Sequence, residues 1–202
     1  MNMKNHIETL VIGAGGIGSY LAETIHKLEE HGQFKSPSVG FTISDDDTIE
    51  DKNLPYQNFE EEELLDYKSL AIETKYPTFR GTNERILKRS QLQGYDLIII
   101  CVDNGPARKL VFEHCCENKD VYFIDLRSEG QGVHAMTTDG NFSKAELLKT
   151  INDQEEGSCQ LKYELDRGII QLGNRIISQI GAQMLLNYTR NEINVDTFTH
   201  RF

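Results

Sequence analysis

Positive charge is scarce in this chain. Its 202 residues hold 21 Lys and Arg against 32 Asp and Glu, a formal net charge of -11. No basic stripe interrupts that acidity, which argues against broad nucleic-acid binding or attachment to an anionic membrane surface. Cysteine is also sparse, at four residues, and none forms a C-x-x-C pair of the kind a structural zinc site needs. The N-terminus lacks a signal-peptide pattern, and no run approaches the roughly 18 apolar residues of a membrane span. These absences point to a cytoplasmic, reduced protein. Its length suits one α/β domain over residues 1–202, with 189–202 as a polar tail.

What the chain does have is a short apolar run feeding directly into glycines, Leu10-Val11-Ile12-Gly13-Ala14-Gly15-Gly16-Ile17-Gly18. Gly13, Gly15 and Gly18 fit G-x-G-x-x-G. Ile17, Leu21, Ile25 and Leu28 then recur at helical spacing. Strand, tight turn and helix in that order present backbone N–H groups and the positive end of a helix dipole to a phosphate. The motif indicates a nucleotide without saying which.

Val39–Ser44 reads as a second strand, ending at Asp45, where a Rossmann-type sheet places an acid on a ribose hydroxyl. Asp46 and Asp51, further along the same acidic run, read as solvated loop residues. Glu60–Ala71 reads as a helix with Lys68 near its end, and Tyr76–Arg80 as a short strand. Tyr95–Val102 is the strongest strand signal, a continuous apolar run suited to a central parallel strand covered on both faces. It ends in Asp103-Asn104-Gly105, and Pro106 opens a helix reaching about His114. Val121–Leu126 is another strand, Gly130–Thr138 is irregular or strand-like, and Ser143 caps a short helix. A long helical pattern runs from Cys159 to about Asn187, with Ile169, Leu172, Ile176, Ile180 and Met184 on one face. The alternation implies an α/β, Rossmann-like fold: an open, mostly parallel sheet with helices on both faces.

Several separated stretches together resemble the ThiF-like adenylyltransferases, the family of ubiquitin-activating-type enzymes and of the thiamine- and molybdopterin-biosynthesis enzymes that activate sulfur-carrier proteins. They are Gly13-Ala14-Gly15-Gly16-Ile17-Gly18-Ser19, then Asp45, Asp47, Glu50, Asn53, Leu54 and Gln57, then Lys68, then Asp103-Asn104 with Arg108 behind. The match runs from residue 6 to about 126. A weaker likeness over 157–186 is to plasmid- and phage-type members. The resemblance implies ATP and Mg²⁺, a homodimer, and attack on the α-phosphate by the C-terminal carboxylate of a ubiquitin-like or sulfur-carrier protein, or of a peptide. It implies that Gly13, Gly15, Gly16 and Gly18 seat the phosphates and that Asp45 takes the ribose, with Asp47 and Asn104 also at the nucleotide. Asn53, Gln57 and Lys68 would face the phosphates, Lys68 neutralising charge that grows in the transition state. Asp103 would hold Mg²⁺, a hard ion matched to carboxylate oxygen.

The chain departs from the family at Tyr56, where an arginine usually contacts the phosphates; tyrosine offers neither that charge nor a bidentate fork. The leading helix common in the family is also missing, since the first strand begins almost at Met1. Arg80, Arg108, Arg127 or a partner chain would have to supply the charge. Cys159 stands at the start of the long helical pattern, where a helix N-terminus favours a thiolate. It reads either as a nucleophile that receives the activated carboxylate or as an inert small residue. Cys115 and Cys116, at a helix end, read as structural. Two other functions stay open. One is a non-catalytic partner subunit of a heterodimeric activating enzyme. The other is a nicotinamide- or flavin-dependent oxidoreductase, which the glycine motif alone permits but which gives Asn53, Gln57, Lys68 and Asp103 no common purpose.

Overall fold

The computed structural model describes residues 4–151 and 165–202. Its strands are β1 (His6–Ile12), β2 (Ser38–Ser44), β3 (Phe79–Thr82), β4 (Leu97–Ile100), β5 (Tyr122–Glu129), β6 (Gly132–Thr137) and β7 (Thr197–Arg201). Its α-helices are α1 (Gly16–Glu30), α2 (Lys68–Lys75), α3 (Gly105–Glu117), α4 (Lys144–Lys149) and α5 (Gly173–Thr189). One sheet runs in the order β3-β2-β1-β4-β5-β6-β7. The first five strands pair in parallel, and β6 and β7 add antiparallel. This is the Rossmann-like α/β sheet expected from the sequence.

Side chains alternate across each strand and so fill two cores. Ile7, Val11, Leu97, Ile99 and Ile124 face one side, with Ile17, Leu21 and Ile25 of α1, Ile72 of α2, and Ile177 and Leu185 of α5. Leu10, Ile12, Ile98 and Ile100 face the other, against Val111 and Phe112 of α3 and Leu147 of α4. All of β4 is buried, as its unbroken apolar run requires. Strand order reverses between β1 and β4, since β2 and β3 extend one way and β5 the other. Beyond the carboxyl ends of those two strands is the crevice where open α/β sheets bind ligands.

Three parts of the chain differ from the sequence reading. Glu60–Ala71 is not one helix. A 3-10 turn covers Glu61–Glu63, Leu65 takes φ +74 with its side chain exposed, and α2 begins at Lys68. Residues 65–68 instead pair with the acidic loop: Leu65 N–H donates to the Ile49 carbonyl, Ile49 N–H to that of Asp66, and Lys68 N–H to that of Asp47. Lys68 therefore opens its helix. Among the described residues the long C-terminal helix spans only Gly173–Thr189, leaving Ile169 and Leu172 outside it and exposed. Its buried face is centred on Ile177, Gly181 and Leu185 rather than on Ile176 and Ile180, because a bare Gly181 lets the helix settle on Leu126. The polar tail carries β7, paired with β6, and holds the buried Asn194. Cys159, with the polar loop before it, lies outside the described residues.

A charged cluster fixes the middle of β5, opposite the end of β4. Asp125 is fully buried and accepts from Arg108 Nε at 2.8 Å and from Arg127 Nε at 2.7 Å. Arg108 also reaches the Val102 carbonyl, and Arg127 the carbonyl and hydroxyl of Thr150. Asp125→Ala would leave the buried Arg108 and the half-buried Arg127 without their acid, a loss of about 3–5 kcal/mol. A clear fall in the urea midpoint is expected, and an unchanged midpoint would contradict it. Burial pushes the Cys115 thiol up to about 12. In the folded protein it should therefore resist iodoacetamide at pH 8, as checked by mass spectrometry of its peptide.

Candidate functional site

The turn after β1 is built on close approach. Gly13 adopts φ +97, and its N–H donates to the Ser44 carbonyl at 2.9 Å. A Cβ on Gly18 would fall 1.9 Å from the Gly13 carbonyl oxygen, so α1 can seat on the turn only without one. A Cβ on Gly16 would fall 2.2 Å from Nδ2 of Asn174. Gly15, the N-cap residue, has no such constraint: its missing Cβ would meet only Gln57 Nε2, at 3.9 Å. The glycines therefore divide their work. Gly13 and Gly18 permit the fold, Gly16 makes room for Asn174, and Gly15 leaves the start of α1 open. Among the described residues no side chain caps α1, so its first N–H groups keep their capacity to bind an anion.

Asp45 closes the turn from the β2 side. Its Oδ2 accepts from Ala14 N–H at 2.6 Å and its Oδ1 from Asp47 N–H at 2.9 Å. Burial raises its pKa above the usual carboxylate value, and those two hydrogen bonds oppose the shift. Lys68 is buried, and its amine lies 3.3 Å from the exposed Asp47 carboxylate. Asp103 follows β4. Desolvation and then the Asp47 carboxylate raise its pKa, while Arg108 and Lys68 lower it, so these charges share one field at the sheet edge. Asn104 caps α3, its Oδ1 accepting from Ala107 N–H at 3.0 Å.

Asn53 and Gln57 come in on the loop between β2 and α2. Asn53 is buried; its Oδ1 accepts from Glu50 N–H and its Nδ2 donates to the Tyr56 hydroxyl at 3.3 Å. Gln57 is buried beside Gly15, with no hydrogen-bond partner for Oε1 among the described residues. A buried acceptor left unmade costs about 1–3 kcal/mol, so an amide in that state beside an open helix N-terminus suits a site that takes a polar ligand. Asn174 Oδ1 is in the same condition. The sequence reading missed Asn174. Its signal is a short polar side chain, directly after Gly173, at the head of an amphipathic helix. Among the arginines considered as replacements at Tyr56, Arg108 and Arg127 are committed to Asp125, and Arg80 is exposed on the edge strand β3.

Asp45, Asp46 and Asp47 lie close enough to share a cation, but exposed acids commonly cluster without one. Asp103, with Asp47 in its field, offers the hard carboxylate oxygen that Mg²⁺ prefers, and so fits the ion.

Gly18→Ala should destabilise the protein by about 1–3 kcal/mol or more, because backbone must move. Gly15→Ala should cost less than about 1 kcal/mol. Thermal melting of the two variants side by side checks this, and equal losses would contradict the division of roles.

Residues 3–202 match the ThiF family model. No curated protein matches the chain. Among solved structures, Escherichia coli MccB with succinimide superposes with a TM-score of 0.67 at 12% identity, covering 96% of this chain and 63% of that one. MccB with ATP gives the same values. Selenomethionine PaaA gives 0.68 at 14% identity, covering 97% of this chain and 61% of that one. The chain thus spans about three fifths of the length of these structures, and at such identities the likeness is one of fold. With the family model matched over nearly its whole length, and with the glycine turn, the Asp45 loop, Lys68 and Asp103 gathered at one sheet edge, this chain belongs to the ThiF family.

Proposed function

We propose that the chain is an ATP-dependent adenylyltransferase acting on the C-terminal carboxylate of a ubiquitin-like protein, a sulfur-carrier protein or a peptide. The observation that carries this is the meeting, at the switch point between β1 and β4, of a helix N-terminus that no described side chain caps, the Asp45 carboxylate, a buried lysine and an exposed acid. Structures of the similarly folded MccB have been solved with ATP, and with AMPCPP together with MccA.

In this reading the first N–H groups of α1 and the Gln57 amide take the phosphates, and Asp45 accepts from the ribose hydroxyls through lone pairs its two backbone donors leave over. A carboxylate oxygen of the acceptor attacks the α-phosphorus. The new P–O bond forms as the bond to the leaving pyrophosphate breaks, giving acyl-adenylate and pyrophosphate. No general base is needed, because the attacking carboxylate is already ionised. Lys68 exchanges Asp47 for a phosphate oxygen as charge moves onto the leaving group. That exchange costs little, because Asp47 is already 71% exposed and solvates readily once released. Asp103, with Asp47 near, would hold Mg²⁺, which supplies charge neutralisation for the triphosphate. Where the acyl group moves on to sulfur, the Cys159 thiolate would take it and release AMP.

One observation favours a second reading, the non-catalytic partner subunit. Tyr56 brings no charge, and Arg108 and Arg127 are already engaged with Asp125. The chain would then bind a carrier or a catalytic subunit through the same fold without activating the carboxylate itself.

ATP with Mg²⁺ should raise the melting temperature and NAD should not, since a ligand stabilises only the fold that binds it. Pyrophosphate exchange with a cognate carboxyl-terminal acceptor should be lost in Asp103→Ala. In Lys68→Ala it should fall by about 10²-fold or more, the scale of removing one stabilising group from a transition state. Cys159→Ala should keep exchange and lose any thioester. Absence of both ATP binding and exchange would refute the adenylyltransferase, whereas exchange by the chain alone would remove the partner-subunit reading.

A further inference from the structure

Asn174 stands at the second position of α5, far in sequence from every other residue of the nucleotide turn, and is 1% exposed. Its side chain fills the space that Gly16 leaves bare. From there its Nδ2 donates to the Tyr56 carbonyl at 3.5 Å, across the gap between α5 and the loop after β2. The same loop is held on its other side by α1, because Asn58 N–H donates to the Ser19 hydroxyl at 3.0 Å. Within the loop, Gln57 N–H donates to the Asn53 carbonyl at 2.9 Å. Gln57 is therefore flanked by residues tied to two different helices, with its carboxamide nitrogen, the donor a phosphate needs, beside Gly15.

We propose that Asn174 is a positioning residue for nucleotide binding: it locks the Tyr56–Gln57 peptide against the glycine turn so that the Gln57 carboxamide is set toward the phosphates before they arrive. The inference rests on the adenylyltransferase reading for the identity of the ligand. Its physical basis is the kind of donor the site uses. A lysine or arginine attracts phosphate over several ångströms and from many directions. A neutral amide binds only when its N–H is aligned within a narrow angle. With tyrosine at position 56, the loop contributes neutral donors, and these repay binding only if their freedom is already lost. Gly16 has a corresponding purpose: its missing side chain serves Asn174 rather than the phosphate directly.

The test is a double-mutant cycle on the full chain, read as the dissociation constant for ATP with Mg²⁺ by calorimetric titration, with the ligand-free melting temperature measured alongside. Asn174→Ala and Gln57→Ala should each weaken ATP binding by about tenfold, and the double variant should lose no more than about threefold beyond the weaker-binding single variant, because both changes remove one interaction. Gly16→Ala, which displaces the Asn174 side chain without deleting it, should weaken binding to a similar degree. If Asn174→Ala does not fold, Asn174→Ser, still polar but too short to reach the Tyr56 carbonyl, takes its place in the cycle. Unchanged ATP affinity in the Asn174 variant, with only its melting temperature lowered, would reduce the residue to a packing role and overturn the inference. Losses that multiply in the double variant would overturn it equally. Failure of the unmutated chain to bind ATP would instead bring down the nucleotide reading, and this inference with it.

Discussion

The first helix can close on the end of the first strand only because Gly18 has no side chain to set against the Gly13 carbonyl. That approach orients the opening N–H groups of α1 along the crevice between β1 and β4, and the other groups of the site are arranged around it. Asp45 binds the Ala14 N–H inside the turn, Gln57 lies across from Gly15, and Asn174 packs on Gly16. A single methyl at position 18 would push the helix away and disperse that set. Here a backbone contact, rather than any one polar interaction, is the condition on which the site's geometry depends.

Two sets of charges at the same edge of the sheet obey different rules. Asp125 and Arg108 are buried, Arg127 is half-buried, and their hydrogen bonds tie the middle of β5 to α3 and to Thr150. Such a cluster is costly to break and so behaves as scaffold. Lys68 with Asp47 is half in and half out of water: the amine is buried and the acid is solvated. The pair contributes little by itself, but it holds a positive charge ready at the edge of the crevice. In the proposed function a phosphate oxygen takes the place of Asp47. The contrast explains why Arg108 and Arg127, both held by Asp125, are not free to offer charge elsewhere.

Much of the fold could be read along the chain because it depends on neighbours in sequence. The apolar run of β4, the glycine turn after β1 and the spacing of apolar residues in α1 each carry their own physics, and the structure bears them out. Asp45, Lys68 and Asp103 were legible as site candidates through the family resemblance, and the structure brings them to one edge. The misread helices mark the limit of local pattern. Leu64 and Leu65 look like one face of a helix, but the backbone hydrogen bonds between residues 47–49 and 65–68 outweigh that preference and bend the chain at Leu65. The apolar spacing that includes Ile169 and Leu172 continues past the true start of α5, which is fixed by where Gly173 and Asn174 meet neighbouring elements.

The sequence by itself determined the class of fold, the order of its elements and the chemistry available at the carboxyl edge of the sheet, because these follow from periodicity, turn residues and residue type. Only the tertiary structure decided which glycine serves which purpose, that Arg108 and Arg127 are spent on Asp125, and that Asn174 belongs beside the glycine turn. The reason is that these are contacts between residues far apart in the chain. Whether a side chain is paired, buried or free to meet a ligand depends on what the rest of the molecule places opposite it, and no local pattern encodes that.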